Sequence, residues 1–217
     1  MESGFYRPES TGAAPQASPA AASVVTVACD WRQSIPVLTS RGLSLREVTQ
    51  QDASPLMAML STQDVLRFIS PHPATADAFA RFVTWTHQQR AAGQFVCFAV
   101  VPAGMSNPIG LFQVRSLEPR FSTAEWGFAL GSPYWGTGLF LEAARLVGDF
   151  VFSTMGVRRL EARACVHNGR GNGALRKLGA TPEGVLRRSF LWQGEYHDQV
   201  LWSILDSDWK KGAAVLF

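Results

Sequence analysis

Cysteine is scarce in this chain: Cys29, Cys97 and Cys165 stand far apart and never form a C-x-x-C pair. That excludes a disulfide-stapled scaffold and fits buried, apolar thiols in a reducing cytoplasm. Histidine is equally sparse, and His72, His87, His167 and His197 share no metal-ligand spacing. No apolar run reaches the roughly 18 residues of a membrane span. Pro8, Pro15 and Pro19 interrupt the stretch where a secretory leader needs its apolar centre. Charge is not gathered into blocks either. The net charge is +3 and the pI about 9.0, but the arginines and lysines are dispersed among acids. There is no basic stripe for a nucleic acid, and a small anionic ligand accounts for the balance equally well.

What the chain has instead is apolar periodicity. Its 217 residues suit one domain with a substantial core. Glu2 to Ser23 is rich in Pro, Ala and Ser and has no apolar period, so it reads as disordered. The expected organisation is a tail over 1–33 and a single domain over 34–217. Leu43 to Val48 alternates like a half-buried strand, and Thr49-Gln50-Gln51-Asp52 supplies a polar turn and cap into a helix from Ala53 to Leu60. A longer helix is expected from Thr75 to Ala92, with Phe79, Phe82, Val83 and Thr86 recurring on one face and Gly93 closing it.

Strands are then expected over Phe95 to Val101 and Ile109 to Leu117. Next come a strand from Thr123 to Leu130, a helix from Leu139 to Met155 and a strand from Arg159 to Val166, a crossover that makes a parallel pair. In the last of these Leu160, Ala162, Ala164 and Val166 share a face. Asn172 to Leu178 reads as a short helix closed by Gly179, and Val185–Trp192 with Gln199–Leu205 as a hairpin around Gln193-Gly194-Glu195. The fold class is mixed α and β.

One stretch carries chemistry. Trp135-Gly136-Thr137-Gly138-Leu139-Phe140 lies between a strand and a helix start, where unsatisfied N–H groups and the positive helix end attract phosphate. The glycines remove Cβ atoms that would hold phosphate oxygens away. A G-x-G alone is as often a plain turn, and neither G-x-x-x-x-G-K-[ST] nor a three-glycine dinucleotide motif is present.

The neighbours of that loop decide its meaning. LTSRGLSLREVTQQDA from Leu38, EWGFAL from Glu125, WGTGLFLEA from Trp135, NGRGNGALRKLGATPEGVLR from Asn168 and DQVLWSILDSDW from Asp198 occur in one order. Together they resemble the GCN5-related N-acetyltransferases (GNAT), in the branch of ribosomal-protein N-terminal acetyltransferases, over about residues 38 to 209. The resemblance implies an α+β fold with a mixed central sheet of about seven strands, helices on both faces, and splayed fourth and fifth strands. It implies acetyl-CoA as cosubstrate and no metal. Phe128, Ala129 and Leu130 would pair with the pantetheine as an added strand. The amides of Trp135, Gly136, Thr137, Gly138, Leu139 and Phe140 would hold the pyrophosphate. Asn168 would contact the pantetheine or the substrate, although an asparagine there is as often a turn former. Arg170 would reach the 3′-phosphate or adenine.

The expected reaction is direct attack of a primary amine, either a protein N-terminus or a small molecule, on the thioester. Because an α-amine of pKa about 8 is mostly protonated at neutral pH, a base helps. Glu125 is the candidate; its bland reading is an ion pair with Arg115 or Arg163. A backbone amide from Phe128 to Leu130 would stabilise the oxyanion. The positions where the family places a tyrosine or a serine acid hold Leu175 and Gly171, which leaves Tyr134 or water to protonate the thiolate. Their absence also keeps open a non-catalytic acyl-CoA sensor. Thr137 replaces a frequent lysine, and Phe140 stands where a small residue is usual and would narrow the phosphate pocket. Oligomeric state is not legible.

Overall fold

Strand composition sets the layout. Phe95–Pro102 is buried at every position, the mark of a strand covered on both faces, and it lies well inside the sheet. The structure is a computed structural model and describes residues 30–69 and 75–209. The strands are β1 (Leu38–Thr39), β2 (Leu43–Glu47), β3 (Phe95–Pro102), β4 (Gly110–Ser116), β5 (Thr123–Leu130), β6 (Arg159–Cys165), β7 (Thr181–Trp192) and β8 (Glu195–Leu205). The helices are α1 (Ala53–Leu60), α2 (Gln63–Leu66), α3 (Ala76–Ala91), α4 (Leu139–Ser153) and α5 (Gly169–Lys177). The strands form one eight-stranded sheet in the order β1-β2-β3-β4-β5-β6-β8-β7. All neighbours are antiparallel except β5 and β6, which α4 joins as a parallel crossover.

Alternation along each strand feeds two cores. Val96, Phe98, Val100, Phe112, Val114, Ala124 and Trp126 face α4 and pack on Ala143, Val147, Phe150 and Val151. Cys97, Ala99 and Leu111 face the other way, under Leu56 and Leu60 of α1 and Phe79 and Val83 of α3. Phe98 meets Phe150 edge-on at 5.4 Å, and each such fully buried ring stabilises the fold by about 1.5–3 kcal/mol.

The turn from β2 into α1 is held by one carboxylate. Asp52 accepts from Arg46 Nη1 and Nη2, both at 2.7 Å, and from the Thr49 backbone N–H at 2.7 Å and hydroxyl at 2.9 Å. At the far edge, Arg159 of β6 reaches across β8 to Glu183 of β7 with bonds of 2.7 and 2.5 Å, and Ser203 of β8 donates to the same carboxylate at 2.6 Å. Those partners, Arg159 foremost, hold the Glu183 carboxyl down at about 2.

The α+β class and the placement of helices on both faces match the expectation; several boundaries do not. The sheet has eight strands because a two-residue β1 precedes the first expected strand, so the splayed pair is fifth and sixth in chain order. Short α2 had no periodic signal. Helix α5 begins at Gly169, not Asn172, because the Asn168 side chain caps it by accepting the Gly171 N–H at 2.8 Å. Strand β6 stops at Cys165, and Val166, expected on the buried face, is 38% exposed. The final hairpin extends further at its start: β7 begins at Thr181 and β8 at Glu195, around the left-handed pair Gln193 and Gly194. Trp31, placed before the expected domain start, is in the core, edge-on to Phe121 at 5.4 Å. The Glu2 to Ser23 segment and Cys29 lie outside the described residues.

Candidate active site

The parallel pair β5 and β6 is joined only at its start. Thr123, Ala124 and Glu125 register with Arg159, Leu160 and Glu161, and no ladder follows, although β5 runs on to Leu130 and β6 to Cys165. Each strand keeps its other neighbour throughout, β4 on one side and β8 on the other. The result is a splay with its apex at Glu125, in which Gly127, Phe128, Ala129 and Leu130 present a strand edge with no β6 partner.

That edge runs into the glycine loop. Gly131 donates back to Ile109 at 2.8 Å, and Ser132–Tyr134 makes a single helical turn. Trp135 then anchors its indole N–H on the Leu130 carbonyl at 2.8 Å. Gly136 and Gly138 adopt φ of +77° and +90°, and a Cβ built on either meets nothing within 4 Å. Gly138 is the N-cap of α4. Among the described residues the N–H groups of Gly136, Thr137 and Gly138 donate to no acceptor, so a row of open donors ends at a helix N-terminus. Thr137 turns its hydroxyl inward to the Tyr134 carbonyl at 2.8 Å. Glu142, the acid in the first turn of α4, accepts from the Gly42 N–H at 3.0 Å and ties the helix start to the β1–β2 turn.

Phe140 corrects an expectation. Its ring does not stand over the loop: it packs on Phe128 at 4.6 Å and Phe112 at 5.5 Å, joining the core on the α4 face. Arg170, from the start of α5, stacks over the Trp135 ring with its guanidinium 5.0 Å from the centroid. Asn168 lies at the other end of the splay, its carbonyl oxygen engaged in capping α5. Leu139 opens α4, partly buried against the core. An open groove of about 540 Å³ adjoins the loop at Gly138 and runs between Ser40 and Leu141, Glu142, Arg145 and Leu146. None of the splay residues lines it.

Glu125 is at the apex on the face shared with α1 and α3. Its Oε2 accepts from Arg115 Nη2 at 2.5 Å and Nε at 3.2 Å, while among the described residues Oε1 has only Arg163 Nε, 3.8 Å away. Both anticipated ion-pair partners are therefore present, and one oxygen keeps a lone pair to spare. The same row of the sheet carries Phe95, Arg115, Glu125, Glu161 and Ser203. One neighbour went unnoticed in the sequence: Gln113, a polar residue in the otherwise apolar start of β4, pairs with Gly127. Trp126 on the opposite face is 2% exposed, and among the described residues its indole N–H has no partner. The free donor row, open strand edge and glycine cradle are of a form that fits a phosphate-tailed, amide-bearing thioester.

A sequence model described as "Acetyltransferase (GNAT) domain" matches residues 42–181. The chain belongs to the GNAT acetyltransferase family. This GNAT protein is 26% identical over 174 residues to the uncharacterised N-acetyltransferase YoaA of Bacillus subtilis (strain 168), covering 78% of this chain and 97% of that one. It is 29% identical over 92 residues to the [ribosomal protein uS5]-alanine N-acetyltransferase of Escherichia coli (strain K12), covering 42% of this chain and 47% of that one. The fold is similar to that of Mycobacterium smegmatis RimJ in complex with CoA-disulfide, with a TM-score of 0.71 at 18% identity over 85% of this chain and 96% of that one. The protein is thus an acetyl-CoA-dependent GNAT N-acetyltransferase. Among the described residues no helix is long and apolar enough to cross a membrane, and no three His, Cys, Asp or Glu side chains gather as a metal would need.

Proposed function

We propose that this GNAT acetylates the α-amine of a protein N-terminus, with Glu125 as the base. The observation that carries the reading is the splay itself: a free β5 edge leads from the apex carboxylate straight to open donors at the α4 N-terminus. Acetyl-CoA supplies the acetyl group as an activated thioester. Phe128 to Leu130 offer backbone amides along the edge, Gly136 to Phe140 the donors for the pyrophosphate, since the Trp135 N–H is already bonded to the Ser132 carbonyl at 3.2 Å, and Arg170 a cation beside them.

At the apex Glu125 Oε1, with Arg163 Nε 3.8 Å away and no hydrogen-bond donor among the described residues, takes the amine proton directly or through one water. Arg115, on Oε2, holds the carboxylate in place. An amide of the Phe128 to Leu130 segment donates to the thioester oxygen as it gains charge. Leu175 is core and Gly171 has no side chain, and the Tyr134 hydroxyl rests 3.9 Å from Met105 sulfur, so water protonates the departing thiolate. With a thiol pKa of about 8.5 that proton transfer is undemanding.

The peptide acceptor is favoured by charge. Arg115 and Arg163 flank Glu125, so the apex offers no surplus acid to draw a polycation. The E. coli relative that acts on a ribosomal-protein alanine is in accord. The test is thiol release from acetyl-CoA against N-terminal peptides, polyamines and aminoglycosides. Turnover confined to the peptides is the expected outcome; turnover confined to polyamines or aminoglycosides would overturn it. In Glu125→Gln, kcat is expected to fall about 100-fold with acetyl-CoA affinity unchanged, and the pH–rate profile to change. An unaltered profile would remove Glu125 as the base.

A further inference from the structure

We infer that Gln113 is an acceptor-binding residue whose side-chain amide holds the first peptide carbonyl of the incoming N-terminus. Gln113 of β4 and Gly127 of β5 are register partners, one row beyond Arg115 and Glu125. Gly127 has no side chain, and the Gln113 chain lies across it: a Cβ built there would be 2.9 Å from Nε2, 3.3 Å from Cγ and 3.5 Å from Cδ. The amide therefore crosses β5 toward the side where β5 has lost its partner β6. Its hydrogen-bonding capacity is unused, for among the described residues the Gln113 side chain has no hydrogen-bond partner. By contrast Arg115 and Glu125, one row back, are engaged with each other.

The face matters as much as the reach. The glycine cradle opens α4, which covers the opposite face of the sheet. Gln113 and Glu125 lie on the α1 and α3 face, from which an amine must approach if it is to meet Glu125. An α-amine bonded to a peptide carries its carbonyl two bonds away, so a donor one row from the base can fix the carbonyl while the nitrogen faces the thioester. A primary amide gives two N–H donors suited to that carbonyl.

The inference rests on the peptide-acceptor reading, and kinetics with an alanine-initiated N-terminal peptide separate the two. In Gln113→Leu and in Gln113→Glu, each without the NH₂ donor, KM for the peptide rises roughly tenfold, kcat stays within about twofold, and acetyl-CoA affinity by calorimetry is unchanged. Gly127→Ala reproduces the KM change by crowding the amide off its strand while residue 113 is intact. Unchanged KM in Gln113→Leu, or wild-type KM in Gln113→Glu, overturns the role of Gln113 and leaves the peptide reading standing. A wild-type protein that turns over only non-peptide amines overturns both.

Discussion

Gly138→Glu is expected to weaken acetyl-CoA binding by at least about 100-fold while the protein stays folded. The position is the N-cap of α4 at φ +90°, a left-handed geometry that costs a residue bearing a Cβ about 1–2 kcal/mol. Because a Cβ there meets nothing within 4 Å, no protein neighbour is displaced and the core is spared. The larger part of the effect is electrostatic. A carboxylate placed where the free N–H groups of Gly136, Thr137 and Gly138 converge takes the donors that phosphate would use. It also repels phosphate by about 1–4 kcal/mol for charges roughly 4 Å apart, depending on local screening. Gly138→Ala separates the two causes, since it carries the backbone strain without the charge and should lose roughly tenfold. Calorimetric titration with CoA reads both, and wild-type affinity in Gly138→Glu would refute the cradle.

Asp52→Ala is expected to destabilise the fold by about 3 kcal/mol, near the low end for breaking a buried pair because Arg46 keeps some access to water. Asp52 is 3% exposed and accepts four hydrogen bonds, from both Arg46 nitrogens and from the Thr49 N–H and hydroxyl. Its loss strands the guanidinium and uncaps the turn into α1 at once. Thermal unfolding should show a midpoint lower by roughly 10 °C for a chain of this length; a drop under about 2 °C would mean the network adds little. Acid should reproduce part of the effect. Burial pushes the Asp52 carboxyl up, but the bonds from Arg46 and Thr49 outweigh it and leave the pKa below its ordinary value. A carboxylate depressed on folding contributes stability above its unfolded pKa of about 3.9 and loses it as pH falls through the folded value. Glu183, held at about 2, has the same sign, though its exposure lets water screen the pair with Arg159. The contribution of these two carboxylates should therefore be constant from neutrality to about pH 5 and decline below about pH 4, with a shallower decline in Asp52→Ala.

Much of this architecture was legible before any coordinates because period and punctuation are local properties. Alternation placed β2 and β6, strand length and composition between Gly93 and Pro102 placed β3, and the glycines after α3 and α4 adopt the left-handed φ of +71° and +74° that closes each helix. Order and spacing of motifs carried the family. Two of the misplaced boundaries share one cause, which is that side chains overrode propensity. Glycine-bearing 169–171 reads as loop until Asn168 caps it into α5, and Thr181 to Gly184 reads as loop until Glu183 pairs with Arg159 and Ser203.

By itself the sequence determined the order of the elements, the two glycines of the cradle and the carboxylate at residue 125, since each depends on residue type and near neighbours. Only the tertiary structure decided what those pieces face. Ladder register stopped the β5–β6 pairing after Glu125 and opened the edge. It set Arg115 and Arg163 on the two sides of that carboxylate. It turned Phe140 into the aromatic core and laid Gln113 over Gly127. These are contacts between residues far apart in the chain, and packing and register place them where no local pattern can.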